Sequence, residues 1–224
     1  HQNLEQLVTL FLVGCDNMKY KTTKKQLPII LLGICIAIGI FLFVQNDRLV
    51  EAPNQAEIGF AQDMSVHHQQ AIEMSFIIRE KTDSQEIRGF AFDIINTQAN
   101  QRGMMLGWLD LWKQPLTTIE TPMMWMMDDA TPMNNSHMLT SFTPGAYMPG
   151  MATSVEMDEF KQVSGKDAEQ LFLELMIRHH QSGVIMANGL MQRSNNEIVT
   201  RLAQTMINGQ QAEIDYMNEL LLKY

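Results

Sequence analysis

This chain is written twice, and that duplication constrains its fold more than any other feature. At a constant offset of 112 residues, Phe60 pairs with Phe172, Met64 with Met176, His67-His68 with His179-His180, and Met74 with Met186. The register continues into the next segment, where Gln98 pairs with Gln210, Gln101 with Glu213, Met105 with Met217 and Leu109 with Leu221. No insertion interrupts it, so one folding unit has been copied. In the first copy, Asn54-x-x-Glu57 is a capping signal for a helix running to about Lys81. Phe60, Met64, Ala71, Met74, Ile77 and Ile78 give that helix an apolar stripe at helical spacing. Thr82-Asp83-Ser84 then turns the chain into a second helix, to about Lys113. In the second copy, Ser164-x-x-Asp167 opens a helix ending near Arg193, Ser194-Asn195-Asn196 turns, and a last helix reaches Leu222. Neither hairpin can cover its apolar faces alone. The expected fold is therefore all-α, a four-helix bundle of two repeated hairpins, 54–114 and 164–224.

The connecting stretch, 115–163, is of different material. Pro115, Pro122, Pro132, Pro144 and Pro149 rule out a long helix, although a short one fits around 155–163. Nine of the chain's 19 methionines lie there, so it is expected to run along the bundle as a crossover. Ahead of the hairpins, residues 27–44 carry no charged or polar side chain, and at 1.5 Å per residue they reach about 27 Å. This segment is expected to be a transmembrane helix. Lys19, Lys21, Lys24 and Lys25 precede it, which predicts a short cytoplasmic segment at 1–26 and, after a linker at 45–53, an extracytoplasmic domain. A single-pass protein of the bacterial inner membrane follows, with the anchor uncleaved because no small-x-small cleavage site closes the run. Leu12-Val13-Gly14-Cys15 has the look of a lipoprotein box but lacks the basic residues that should precede one, and Met18 is a natural start beyond residues 1–17.

Both cysteines, Cys15 and Cys35, fall before residue 45, which leaves the repeated domain without thiol chemistry. From residue 49 on there are 22 acidic against 11 basic residues, so nucleic acid is excluded as a partner and cations are favoured.

Within each copy, Met64-x-x-His67-His68-x(5)-Met74 and Met176-x-x-His179-His180-x(5)-Met186 set thioethers and imidazoles on one stretch of helix. Neutral imidazole and uncharged thioether tolerate burial and suit a soft monovalent ion, copper(I) or silver(I). Adjacent histidines point about 100° apart on a helix, so one of each pair is expected to face the bundle and the other a groove or the crossover. Gln101 and Glu213 are placed to hydrogen-bond these histidines and fix their tautomers. In the crossover, Met133, His137 and Met138 form a looser methionine and histidine cluster. Methionines also fill gaps in ordinary cores, and buried histidines are often merely hydrogen-bonded; Met123-Met124-Trp125-Met126-Met127 could equally clamp the bundle or bind a partner. It is the repetition of the whole set that tips the balance toward ligation. Asp63 and Glu73 are matched by Leu175 and Ile185, so no catalytic carboxylate is repeated, and no Glu-x-x-His, HExxH or phosphate loop occurs.

In these residues the chain resembles the family known as domain of unknown function 305. The likeness runs from Phe60-x-x-x-Met64-x-x-His67-His68-x-x-Ala71-x-x-Met74 to Gln98…Trp108-Leu109, and again from Phe172 to Met186-Ala187 and through Gln210-x-x-Glu213-Ile214-x-x-Met217. Gln101-Arg102, Gly183 and Leu220 depart from the pattern. The resemblance implies a ferritin-like bundle, often in exported bacterial proteins, some similar to periplasmic copper-binding proteins. The expectation is a membrane-anchored extracytoplasmic copper(I) protein that is not an enzyme and that buffers the ion or hands it to a transfer partner. Two alternatives stand beside it, a structural or interaction subunit of a membrane complex and a ferritin-like metal oxidase.

Overall fold

The computed structural model describes residues 27–46, 52–127 and 143–224, with side chains in the first stretch described for 32–41. Residues 1–26, and with them the lysine cluster and Cys15, lie outside the described residues, as does 128–142 with Met133, His137 and Met138. Among the described residues there are six α-helices and no strand. The chain divides into two units, 1–51 and 52–224.

The first unit contains helix α1, Leu27–Asn46. Here the expectation is corrected: among the described residues no helix is long and apolar enough to cross a membrane. The transmembrane helix over 27–44, the membrane as a partner through it, and single-pass anchoring in the inner membrane all fall with that finding.

In the second unit, α2 is Gln55–Lys81, α3 Gln85–Leu111, α4 Ser154–Gln162, α5 Gly165–Met191 and α6 Glu197–Leu221. The start of α2 is the capping box its sequence predicts: Asn54 accepts from the Glu57 N–H at 2.9 Å and Glu57 from the Asn54 N–H at 3.1 Å. Ser84 caps α3 and Asn196 caps α6. Ser164 does not cap α5, contrary to its sequence signal. Only Val163 and Ser164 separate α4 from α5, and Gly165 takes φ +61°, so the joint is too tight for the Ser164 hydroxyl to reach the first turn. The short helix α4 has its own complete box between Thr153 and Glu156.

α2 packs on α3, α5 on α6, and the two hairpins meet along α2 and α5. Cross-hairpin ties repeat the 112-residue offset. Ser194 in the α5–α6 turn donates to Glu57 at 2.5 Å, and Thr82 in the α2–α3 turn donates to Glu169. All four residues are buried. The crossover is fastened to the same two helices. Gln70 exchanges two hydrogen bonds with the backbone of Ala152, at 2.7 and 2.8 Å, and Ser182 donates to the Pro149 carbonyl. At its other described end, Asp63 accepts from the Met123 N–H at 2.7 Å and from the Trp125 indole at 2.9 Å. Trp125 lies over Gly59, where a Cβ would come within 2.5 Å of its ring, and meets Phe60 edge-on.

The core is in two apolar parts. One holds Met74, Phe172, Met176 and Met217, the other Phe60, Met64, Met105 and Met186. Along every long helix, the buried side chains between these parts are polar.

Candidate metal centre

That interruption is a layer of buried polar side chains contributed by all four long helices: His67 and His68 from α2, Gln98 and Gln101 from α3, His179 and His180 from α5, Gln210 from α6. Glu213 completes it at the rim, its side chain 22% exposed. Both histidines of each pair are inside, which corrects the expectation that one would face a groove. A helix in a four-helix bundle has two neighbours, so a 100° divergence sends one ring to each of them. His67 and His179 meet across the α2–α5 seam with ring centroids 3.6 Å apart and planes 28° from parallel. His68 and His180 turn toward α3 and α6.

The hydrogen bonds expected from Gln101 and Glu213 are present. His68 Nε2 lies 2.8 Å from Gln101 Oε1, and His180 Nε2 lies 2.7 Å from Glu213 Oε2. An amide oxygen and a carboxylate only accept, so each Nε2 carries the proton and each Nδ1 is left with a lone pair. Those Nδ1 atoms are buried without a partner, as are His179 Nδ1 and both ring nitrogens of His67. The side-chain amides of Gln98 and Gln210 are likewise unpartnered. His179 Nε2 is engaged, donating to the His67 carbonyl at 3.0 Å.

Burial drives the electrostatics of the layer. It pushes His67 well below the usual 6.5, with added repulsion from His68 and His180. His179 is lowered in the same way, by burial first and then by the surrounding histidines, against the opposing bond to the His67 carbonyl. His68 falls to about 4, by burial, with its Gln101 bond opposing and the charges of His180 and Arg102 adding to the drop. These three rings are therefore neutral at pH 7, with lone pairs available.

The thioethers flank this layer. Met64 and Met186 are fully buried in the apolar part on one side, Met74 and Met176 in the part on the other, and Met105 and Met217 join them from α3 and α6. Met64 and Met176 each precede their histidine pair by one helical turn. Among the described residues no three of His, Cys, Asp or Glu gather to hold a metal. A carboxylate-rich di-iron centre therefore has no place there, whereas an ion of low coordination number with a taste for nitrogen and sulfur fits the donors present.

Asp63 is the buried group whose role the sequence hid. Its clamp on Met123 and Trp125 spans about 60 residues to an irregular segment, and nothing in helical periodicity signals it.

A sequence model for the domain of unknown function 305 (DUF305) matches residues 57–221. A crystal structure of a DUF305 protein from Streptomyces coelicolor is 47% identical, covers 75% of this chain and 93% of that one, and superposes with a TM-score of 0.65. A DUF305 fragment from Deinococcus radiodurans is 28% identical over 78% of this chain and all of that one, with a TM-score of 0.60. A protein called CopM, solved in a Cu(I)-bound form, shares the fold at 23% identity and TM-score 0.55, over 75% of this chain and 96% of that one. CopM has also been solved with Cu(II), with silver and in an apo form. No curated protein matches the chain.

Proposed function

Since the chain belongs to the DUF305 family, whose name assigns no activity, we propose from the site itself that it binds a soft monovalent metal ion, copper(I) with silver(I) as its congener, in the polar layer of the bundle. The observation that carries this reading is the His67–His179 pair, stacked in a fully buried layer with lone pairs that no protein group satisfies. An unsatisfied buried polar atom costs about 1–3 kcal/mol. A layer with this many of them gains if a ligand engages their lone pairs.

The donors favour soft ions. Imidazoles at His67, His68, His179 and His180, with thioethers at Met64, Met74, Met176 and Met186 on either side, supply nitrogen and sulfur with a single nearby carboxylate. Face-to-face rings set their lone pairs side by side, so uptake turns at least one of the stacked rings. The forms in which CopM has been solved, with Cu(I), Cu(II) and silver, support the same class of ion on the same fold. Met133, His137 and Met138 are proposed as a second, faster-exchanging set. The role is binding without catalysis.

A second reading has its own observation. Met64, Met74, Met105, Met176, Met186 and Met217 are fully buried among apolar side chains, as core filler would be. In that case the bundle is a structural or interaction subunit.

Anaerobic titration of the full chain separates the two. Copper(I) is expected to bind at least about a hundredfold more tightly than zinc(II) and to raise the melting temperature, because only the folded chain assembles the donors. The double change His67→Ala/His179→Ala should abolish the tightest binding in a chain whose circular dichroism still reports helix. No thermal shift with copper(I), together with unchanged binding by the double variant, would leave the structural reading in its place.

A further inference from the structure

The polar layer is symmetric in its histidines and asymmetric in its charge. The 112-residue offset maps His68 onto His180 and Gln98 onto Gln210, but it maps Gln101-Arg102 onto Glu213-Ile214. Geometry is conserved across this substitution. Each second-position histidine gives its Nε2–H to the residue 33 positions on, at 2.8 and 2.7 Å, and each keeps a buried, unpartnered Nδ1. What differs is the sign of the local field. His180 rests on a carboxylate that reaches partly into solvent. His68 rests on a neutral amide, and the neighbouring Arg102 guanidinium, donating to the Ser65 carbonyl at 3.2 Å, lies close enough for its charge to act on the His68 ring.

Resting on the metal-binding reading above, we propose that the chain holds one tightly bound soft monovalent ion, taken up in the layer of the His67–His179 pair with His180 on the Glu213 side as a further donor, and that Arg102 keeps the equivalent His68 position from loading. A cation brought into a buried layer needs a compensating charge, and a like charge beside it adds to the cost of desolvation. Glu213 offsets one positive charge; at His68 the Arg102 charge opposes the same step. Glu213 is a positioning residue here, not a ligand. Its contact is with Nε2, so it fixes the tautomer that leaves the Nδ1 lone pair for the ion. Its partial exposure also makes it the acidic group that joins the His180 side of the layer to solvent, where an arriving cation is first attracted.

The experiment is a titration of the full chain with silver(I) or chelator-buffered copper(I), read by competition and by native mass spectrometry, with 15N NMR of the histidine rings. The wild type should take about one tight equivalent, with the His180 Nδ1 resonance moving and that of His68 unchanged. Glu213→Gln keeps an acceptor for Nε2 and removes the charge; affinity should fall by about 10- to 100-fold. Restoring the repeat with Gln101→Glu/Arg102→Ile should create a second tight equivalent and bring the His68 Nδ1 resonance into motion. Should that variant fail to fold, the wild-type ring resonances decide alone. A wild type that binds two equivalents of equal affinity, or a Glu213→Gln chain that binds as before, overturns this inference and leaves the metal-binding reading standing. No binding by the wild type sinks both.

Discussion

The two repeats agree where they hold each other and differ where they face the polar layer. Glu57 and Glu169 make equivalent ties to the opposite turn, through Ser194 and Thr82, and Phe60 and Phe172 are both fully buried. Inside the layer and beside the crossover the equivalence is lost: Gln101 against Glu213, Arg102 against Ile214, Ala71 against Gly183, Asp63 against Leu175. Asp63 is spent on the Met123–Trp125 stretch of the crossover, a segment present once, and so has no counterpart in the second repeat. Duplication thus preserves the contacts each hairpin needs from the other. It frees positions that meet something present once, whether a single connecting segment or a single ion.

The largest test of that comparison is acid, because histidines from both repeats share the burden. His67, His68 and His179 have folded pKa values below 6.5, the last-falling resolved value being about 4 for His68. A depressed folded pKa means that the unfolded chain binds the extra protons. Stability from these groups is therefore complete above about pH 6.5 and lost as pH falls from there toward 4 and below, at about 1.4 kcal/mol per pH unit for each histidine while the difference lasts. Urea midpoints measured between pH 7.5 and 4.5 should drop steeply, and His68→Gln should flatten the slope by roughly a third. A flat profile would mean that the layer is wetter and its rings more easily charged than their burial indicates.

Much of the fold could be read ahead of the structure because it rests on local or repeated signals. Helix limits follow from apolar spacing and from caps such as Asn54-x-x-Glu57, and the histidine partners Gln101 and Glu213 stood out because the offset preserved their spacing. Illegible features depend on neighbours that sequence does not place. One helix viewed alone offers one inside, so burial of both histidines of a pair required knowing that α2 touches α3 and α5. The cross-hairpin ties were present as the pairs Glu57/Glu169 and Thr82/Ser194, yet looked like a helix start and a turn. The run at 27–44 suggested a span by length and composition, whereas among the described residues no helix is long and apolar enough to cross a membrane.

A smaller effect comes from the ties. Replacing Glu57 or Glu169 by Ala strands a buried hydroxyl, Ser194 or Thr82, and should cost about 1–3 kcal/mol in each case. Glu57→Ala should be the costlier because it also dissolves the capping box of α2, by a further ~1 kcal/mol. The ties sit at opposite ends of α2, so the double variant should lose the sum to within about 0.5 kcal/mol. Strong non-additivity in chemical denaturation would show that the ends are coupled through the layer between them.

The smallest effect probes one methyl group. Ala71 and Gly183 are equivalent by the offset, both buried, and differ because the Gln210 side chain occupies the space a Cβ at 183 would need, its Oε1 lying 2.2 Å from that point. Ala71→Gly removes helix propensity and should cost about 1 kcal/mol, with a small cavity term added. Gly183→Ala gains the same propensity and must displace Gln210. The obstacle is the end of a flexible side chain rather than backbone, so the two terms should nearly cancel, leaving stability within about 1 kcal/mol of the wild type. The displaced amide should nonetheless register at the layer, as a change in soft-metal affinity that Ala71→Gly does not produce. If Gly183→Ala unfolds the chain, Gln210 is locked in place. The glycine would then be a packing requirement of the second repeat, not a mark of its divergence toward the ion.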